Sequence, residues 1–546
     1  MKNQQLHSDP GWWRGAVIYQ IYPRSFMDAS GDGIGDLAGI TSRLEYVASL
    51  NVDAIWLSPF FTSPMDDFGY DVADYCDVDP MFGSLDDFRA LIERAHELGL
   101  KVIIDQVLSH SSDQHAWFQE SRQDRTNPKA DWYVWADPKP DGTPPNNWMA
   151  AFSGRAWTFD ARRRQYYLHN FLASQPDLNF HHSEVREAQL DNLRFWLELG
   201  VDGFRFDVVN YYFHDPALTD NPPMPRERVH PGNPQSYQFQ RYNIEQPENL
   251  AYLERIRALL DEYPGSTTVG EIAGNDPLPI MAAYTRGDKR LHMAYTFDLL
   301  DSTGDATELH DVLARFAELG DDTWPCWALS NHDVVRSATS WGEDRALLAL
   351  TVLCSLRGSL CLYQGEELGL PEAELAYEDL QDPFGINLWP EVKGRDGCRT
   401  PMVWDESANG GFCPAGVAPW LPVFAPHRPL AVTRQDAAPD SLLAQVRGLL
   451  KRRGTSETLR QGDQRLIAPS ELPEGVFGVI RTLGERHLLC LAHLGHGEVP
   501  DEIALDGLAD GLKDTQPVDL PGMPTPTRQG STLHLMPGSA AWLELR

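Results

Sequence analysis

The sequence predicts an α/β protein built on a (β/α)8 TIM barrel, with a small domain inserted after the third strand and a C-terminal antiparallel β domain. Three observations predict this fold. Short apolar segments alternate with segments whose apolar residues recur at helical spacing. Polar residues that can do chemistry follow several of the apolar segments. Two long segments break the alternation. Alternating strands and helices predict a parallel sheet, and eight such strands are enough to close a barrel.

The first helices have clear sequence signals. After a first strand at 16–21, apolar residues recur at helical spacing at Leu37, Ile40, Leu44, Val47 and Leu50. A second helix begins at Ser84, which forms a predicted capping box with Asp87, and it ends at Gly99. The eight predicted strands, counted along the chain, lie at or within 16–21, 53–57, 101–105, 200–210, 267–271, 292–296, 326–329 and 359–363.

Two segments fall outside the alternation. Residues 111–180 are rich in Pro, Asn, Trp and Asp and are much longer than an ordinary loop, which predicts an inserted domain. After about residue 466, short strands separated by turns predict an antiparallel β domain. The predicted domains are therefore a barrel (1–110 and 181–464), an inserted domain (111–180) and a C-terminal β-sandwich (465–546).

Composition excludes some function classes. The net charge of −33 argues against nucleic acid and anionic membranes as partners, because both repel an acidic surface. We expect no membrane span, since the longest apolar run, 346–356, is far shorter than the ~20 residues needed. The first seven residues lack the apolar core of a secretory signal, and seven scattered cysteines indicate reduced thiols. We therefore expect a cytoplasmic enzyme, monomeric or homodimeric, that acts on small neutral molecules.

The stretch 200–210 carries the first chemical signal. Arg205 and Asp207 are two residues apart on a strand and so point to the same side. A guanidinium beside a buried carboxylate favours the ionised acid, so we expect a lowered pKa for Asp207 and a carboxylate ready to attack an electrophilic carbon. A buried structural ion pair is the alternative interpretation of this pair taken alone.

Further polar residues follow other predicted strands. They are Asp105, His110, Glu271, Asn331, His332 and Asp333. Because catalytic residues of such barrels lie at the C-terminal ends of the strands, we expect these side chains to converge. Glu271 is flanked by apolar residues with no cation adjacent in sequence, so burial there favours its protonated form. An ionised carboxylate beside a protonated one is what glycoside hydrolysis requires.

A glycine-spaced acidic loop, 28–36, follows the first strand. Acidic residues at regular spacing supply oxygen ligands that suit Ca²⁺ or Mg²⁺. A solvent-exposed acidic turn has the same pattern, and both interpretations stay open. The histidines lack the spacing of a transition-metal site, which argues against a metal-dependent hydrolase.

At this point the chain resembles the α-amylase family of glycoside hydrolases, and within it the bacterial α-glucosidase and oligo-1,6-glucosidase group. The resemblance covers nearly the whole chain. The matching segments are 105–110, 203–207, 269–271 and 330–333, together with 175–179 in the inserted segment. The resemblance implies Asp207 as nucleophile, Glu271 as acid/base and Asp333 as the residue that grips sugar hydroxyls and stabilises the transition state.

The resemblance also implies binding residues. Those for substrate are Asp67, Tyr70, His110, Phe152, Arg205, Val208, Phe297, His332 and Arg399. In relatives a paired acid and arginine close the pocket, which makes the action exo. A structural Ca²⁺ or Mg²⁺ would be held by Asp28, Ser30, Asp32, Ile34 and Asp36, although relatives often have Asn where this chain has Ser30. No organic cofactor is implied.

The expected activity is that of a retaining exo-α-glucosidase that also transfers glucose to acceptor alcohols. Valine after the nucleophile accompanies α-1,6 action in this group, whereas the whole-chain resemblance favours short α-1,4 substrates. We therefore expect α-1,4 preference with tolerance of α-1,6 bonds. A sucrose-converting transglucosylase or isomerase of the same family is an alternative. So is a non-catalytic accessory subunit of a transporter, although such subunits usually lack triad members and carry a membrane anchor.

Overall fold

The computed structural model describes residues 9–508 and 517–545. Its central feature is an eight-stranded parallel sheet. The strands are β1 (Val17–Ile21), β2 (Ala54–Leu57), β5 (Lys101–Gln106), β9 (Gly203–Phe206), β10 (Thr267–Ile272), β11 (Met293–Thr296), β12 (Cys326–Ala328) and β13 (Ser359–Tyr363). All eight fall at the predicted positions. The described residues do not include residues 1–7, which were expected to carry no secretory signal. They also do not include residues 509–516 and 546 of the predicted C-terminal domain.

The sheet closes into a barrel. Its strand order is β11-β10-β9-β5-β2-β1-β13-β12, and a parallel bridge between Ala294 and Pro325 joins the two outer strands. All residues of these eight strands are buried, as expected for a parallel sheet covered on both faces. The predicted (β/α)8 fold is confirmed.

Helices connect the barrel strands along the chain, and one helix lies in the inserted segment. They are α1 (Pro23–Phe26), α2 (Leu37–Ser49), α3 (Leu85–Glu97), α4 (Ala116–Ser121), α5 (Ser183–Leu199), α6 (Glu248–Leu260), α7 (Pro277–Thr285), α8 (Ala306–Ala317), α9 (Ser337–Ser340), α10 (Ala346–Ser355), α11 (Pro383–Leu388), α12 (Val432–Asp436), α13 (Leu442–Thr455) and α14 (Glu457–Gln461). The predicted capping box of Ser84 and Asp87 is present at α3. Among the described residues, none of the helices has both the length and the apolar character that a bilayer crossing requires.

The segment between β5 and α5 forms a small β-sheet of its own. Strands β6 (Trp135–Ala136), β8 (Gln165–Leu168) and β7 (Trp157–Asp160) pair antiparallel in that order. A two-stranded sheet of β3 (Phe61–Thr62) and β4 (Asp74–Val78) precedes it in the chain. A bridge between His110 and Asp177 brings the two ends of the inserted segment together. The insertion therefore leaves the barrel and returns at one place, beside the C-terminal end of β5.

Two antiparallel sheets form the C-terminal part. One contains β14 (Asp463–Leu466), β15 (Val476–Leu483), β16 (Arg486–His493), β21 (Ala540–Leu545) and β18 (Pro517–Val518). The other contains β17 (Asp501–Ala504), β20 (Thr532–Leu535) and β19 (Thr527–Gln529). Both contribute to one apolar cluster that includes Val476, Leu489, Ile503 and Leu533, so the sheets pack face to face.

Candidate active site

A cavity of about 520 Å³ lies where the barrel strands end. Its size falls within the range of small-molecule sites. Nine of the predicted site residues line it: Asp67, Tyr70, His110, Phe152, Asp207, Val208, Glu271, Phe297 and Asp333. Residues that the sequence did not single out also line it, among them Phe171, Tyr211, Phe384 and Arg395.

Arg205 holds the carboxylates of the site together. It lies on β9 opposite Asp105 of β5 in the strand register. Its Nη1 donates to Asp105 Oδ1 at 2.8 Å and to Asp207 Oδ1 at 2.9 Å, and its Nη2 lies 2.7 Å from Glu271 Oε2. The guanidinium is completely buried. A planar fork of this kind fixes the relative positions of Asp207 and Glu271.

The pKa of Asp207 departs from the sequence-based expectation. Burial raises it well above its ordinary value, Arg205 acts in the opposite direction, and the negative charges of Glu271 and Asp105 raise it further. The predicted lowering was wrong because burial, together with the two carboxylates that other strands bring beside Asp207, outweighs the neighbouring arginine. Such closely placed carboxyl groups titrate as a set, and a shared proton relieves their repulsion.

Glu271 has three hydrogen-bonding neighbours. The Val208 amide donates to Oε2 at 3.0 Å, the Tyr295 hydroxyl donates to Oε1 at 3.2 Å, and Arg205 reaches Oε2. No cation is adjacent in sequence, yet one is adjacent in space. Only 2% of Glu271 is exposed, so its carboxyl group is held within the cavity wall by fixed polar partners.

Two arginines surround Asp333. Arg399 Nη2 lies 2.8 Å from Asp333 Oδ1, and Arg395 Nη1 lies 3.2 Å from the same oxygen. Burial disfavours the charged form, but the positive groups outweigh burial and hold the pKa of Asp333 below its ordinary value. Burial also lowers the pKa of His332 well below its usual value. That ring is therefore neutral near pH 7, and the arginines supply the positive charge.

Tyr70, His332 and His110 lie beside these acids, and Tyr70 and His110 line the cavity. The Tyr70 ring stacks on His332 with centroids 5.4 Å apart, and its hydroxyl donates to Asp105 Oδ2 at 3.1 Å. His110 Nε2 donates to the Tyr70 carbonyl at 3.1 Å, and burial lowers the pKa of His110 to about 4. Both histidines are thus neutral groups that fix Tyr70 against the carboxylates.

Three predicted substrate-binding residues do not reach the cavity. Arg205, His332 and Arg399 are completely buried behind the residues that line it. For Arg399 this corrects the prediction that it lines the substrate site. The arginine that pairs with Asp67 is Arg395, with Nη2 2.8 Å from Oδ1, whereas Arg399 contacts Asp333 and the His332 carbonyl. Sequence alone gave no means of choosing between two arginines four positions apart.

Arg395 connects three loops. Besides Asp67 and Asp333 it binds Asp382, with Nη2 2.7 Å from Oδ1. Its guanidinium also lies over the Phe152 ring, 4.7 Å from the centroid. Because Arg395 and Asp67 are both part of the cavity wall, their ion pair defines its shape at that end.

Val208 adopts an unusual backbone conformation. Its φ of +32° places a β-branched residue in the left-handed region, which such residues rarely occupy. In that conformation the amide faces Glu271 and the residue lines the cavity. Strain of this kind at a site is retained when the surrounding contacts require it.

The predicted metal loop is closed by its own hydrogen bonds. Asp28 accepts from the amides of Gly31 and Gly33, and Asp36 accepts from those of Ser30 and Gly39. Among the described residues, no three Asp, Glu, His or Cys side chains are grouped to hold a metal. The structural Ca²⁺ or Mg²⁺ held by Asp28, Ser30, Asp32, Ile34 and Asp36 therefore stays a prediction from the sequence.

Comparison with known proteins gives consistent results. The α-amylase catalytic-domain family model matches residues 20–462. A probable α-glucosidase of Rhizobium meliloti is 52% identical over 516 residues, which cover 92% of this chain and 93% of the relative. An oligo-1,6-glucosidase of Heyndrickxia coagulans is 38% identical, with 84% of this chain and 88% of the relative covered.

Solved structures are also similar over nearly the full length. The crystal structure of an α-glucosyl transfer enzyme has a TM-score of 0.93 at 52% identity and covers 98% of this chain and 99% of its own. The trehalulose synthase of Pseudomonas mesoacidophila has a TM-score of 0.87 at 31% identity, with the same two coverages.

Proposed function

The chain belongs to the α-amylase family of glycoside hydrolases, and from this premise we propose that it is a retaining exo-α-glucosidase that also transfers glucose to acceptor alcohols. The observation that carries the proposal is the Arg205 fork. It holds Asp207 and Glu271 together in the wall of one cavity, so that a nucleophile and an acid/base can act on one glycosidic bond.

The reaction has two steps. In the first, a carboxylate oxygen of Asp207 bonds to the anomeric carbon while the bond to the leaving oxygen breaks, and Glu271 gives its proton to that oxygen. In the second, Glu271 takes a proton from water or from an acceptor alcohol, whose oxygen displaces Asp207. Two inversions leave the product with the α configuration. Attack by water is hydrolysis, and attack by an alcohol is transfer.

The remaining wall residues have roles in binding. Asp333, kept ionised by Arg395 and Arg399, accepts hydrogen bonds from hydroxyls of the glucose ring and stabilises positive charge at the anomeric carbon. The ion pair of Asp67 and Arg395 closes the end of the cavity that receives this ring. A closed end admits only a chain terminus, which supports exo action on small neutral α-glucosides.

The linkage preference is the finer part of the proposal. We propose that α-1,4 bonds are favoured and α-1,6 bonds tolerated. The relative from Rhizobium meliloti is named an α-glucosidase, whereas the one from Heyndrickxia coagulans is named for oligo-1,6-glucosidase activity. Val208 borders both the nucleophile and the acid/base, so its side chain lies near the leaving sugar.

Product analysis tests the proposal. Maltose, isomaltose, sucrose and maltotriose are incubated separately with the enzyme, and the products are separated by chromatography. We expect glucose from maltose and, more slowly, from isomaltose, with glucosylated products at high substrate concentration. Isomers of sucrose as the main products would instead support the alternative of a sucrose-converting enzyme, an activity suggested by the similar trehalulose synthase.

A further inference from the structure

Tyr295 lies next to the acid/base in a way that the sequence did not reveal. It is on β11, directly opposite Glu271 of β10 in the strand register. Only 2% of the residue is exposed. Because Tyr295 and Glu271 are neighbours across adjacent strands and not along the chain, no local motif connects them.

The Tyr295 hydroxyl stands between the arginine and the acid/base. It accepts hydrogen bonds from Arg205 Nη2 at 2.8 Å and from Arg205 Nε at 3.2 Å. It donates to Glu271 Oε1 at 3.2 Å. An oxygen that accepts from a cation becomes a stronger donor, because hydrogen bonds in a chain polarise one another.

We infer that Tyr295 is a positioning residue that stabilises the negative charge which develops on Glu271 as its proton passes to the leaving oxygen. The inference rests on the proposed glycosidase function. A donor aimed at the place where charge appears lowers the barrier of the step that creates the charge. The proton itself goes from Glu271 to the departing oxygen, and Tyr295 keeps its own proton throughout.

The other polar neighbours of Glu271 cannot substitute for this hydroxyl. Arg205 on β9 and the Val208 amide contact Oε2, not Oε1. Asp207, Asp105 and Tyr211 also act on the electrostatics of this group, but the first two are carboxylates and oppose further negative charge. Within the part of the chain that the structure describes, Tyr295 is the residue that donates a hydrogen bond to Oε1.

The inference predicts that the effect of Tyr295 depends on the leaving group. A sugar alcohol needs a proton from Glu271 in order to depart, so its departure places charge on that carboxylate. Fluoride departs with little proton transfer, so the cleavage of α-glucosyl fluoride places little charge there. Removing the Tyr295 hydroxyl should therefore slow the cleavage of substrates with a sugar leaving group much more than the cleavage of α-glucosyl fluoride.

The test uses Tyr295→Phe, which removes one oxygen and keeps the ring. For each protein, kcat/KM is measured with maltose and with α-glucosyl fluoride. We expect the ratio of maltose to fluoride to fall by about tenfold, the loss expected for one hydrogen bond to a charged group. Activity with the fluoride also shows that the variant is folded.

Tyr19→Phe is the matched control. Tyr19 is also fully buried on a barrel strand, and its hydroxyl donates at 2.8 Å to a carboxylate, that of Glu367, which does not line the cavity. Loss of this hydrogen bond should leave the maltose-to-fluoride ratio unchanged. A similar fall of the ratio in both variants would overturn the inference, because the effect would then come from the loss of any buried phenol.

Different results would contradict the proposed function and the role of Tyr295. If the unaltered enzyme cleaves neither substrate, the proposed function is wrong. If it cleaves both and Tyr295→Phe lowers both rates equally, or neither, the function stands and the role of Tyr295 is wrong. An equal fall would mean that Tyr295 serves only the structure of the site.

Discussion

The backbone amide of Val208 donates to Oε2 of Glu271 at 3.0 Å, so the residue that follows the proposed nucleophile holds the proposed acid/base in place. Val208 makes this contact with a left-handed backbone, with φ of +32°. The same backbone places Val208 in the cavity wall. One residue thus contributes its amide to the position of the Glu271 carboxyl group and its side chain to the cavity wall.

Val208→Ala should raise the ratio of kcat/KM for maltose to that for isomaltose. A branched side chain is stiff and occupies space that an α-1,4-linked ring would use. We expect a rise of about tenfold, since removing methyl groups from such a pocket changes discrimination by ~1–3 kcal/mol. The values of kcat/KM for maltose and for isomaltose are measured with the purified enzyme and with the purified variant.

Val334→Ala provides the comparison for this prediction. It removes the same atoms from another part of the cavity wall. An unchanged ratio in Val208→Ala, or an equal change in Val334→Ala, would show that the position next to the nucleophile does not set the linkage.

Arg395→Lys should raise KM for maltose by about tenfold, since a hydrogen bond to a charged group is worth ~1.5–3 kcal/mol. Lysine is a point donor and cannot reproduce the fork that contacts Asp67, Asp333 and Asp382. The closed end of the cavity should therefore lose its shape. Steady-state kinetics check the expected rise, and thermal unfolding checks that the variant is folded. A variant that is folded and has an unchanged KM would contradict the role of Arg395 in closing the cavity.

Asp177→Asn should reduce the dependence of stability on pH between about 4 and 8. These limits are the pKa of an ordinary aspartate and the pKa of Asp177 in the folded protein. Burial raises the pKa of Asp177 to about 8, against hydrogen bonds from Asn170 that lower it. Between these pH values the folded state therefore binds more protons than the unfolded state. The contribution of Asp177 to the free energy of unfolding is greatest below about pH 4 and is lost as the pH rises through about 8. Melting temperatures of both proteins across this range test the sign. A steeper decline in Asp177→Asn would contradict it.

Local sequence patterns were enough to predict the barrel. Each strand is short and apolar, and each helix near the start of the chain has a cap or a stop signal such as Ser84 or Gly99, so these elements depend on neighbours in sequence. The positions of Asp207, Glu271 and Asp333 followed from their places after strands, because a barrel brings those ends together.

Other features of the site depend on contacts between distant segments. The choice of Arg395 over Arg399 depends on how one loop meets Asp67, more than 300 residues away in the chain. The raised pKa of Asp207 depends on its burial in the assembled barrel and on carboxylates from two other strands. Tyr295 contacts Glu271 only because β10 and β11 are in a particular register. The spacing of residues in the sequence predicts none of these three features.

Asp207→Ala and Glu271→Gln should each lower kcat for maltose by at least about a thousandfold while the fold is retained, because neither carboxyl group can take over the role of the other. Glu271→Gln keeps nearly the same shape, so the amide of Val208 can still donate to it. Circular dichroism and thermal unfolding establish the fold, and kinetics with maltose establish the loss. Substantial turnover in either folded variant would remove that residue from the mechanism.

The stereochemistry of the first product tests the two-carboxylate mechanism most directly. An aryl α-glucoside is hydrolysed in a spectrometer, and the anomeric proton signals are followed by NMR before mutarotation mixes the anomers. Nucleophilic attack by Asp207, followed by attack of water assisted by Glu271, predicts α-glucose as the first product. If β-glucose is formed first, the reaction inverts configuration, and the account of Asp207 as a nucleophile is wrong.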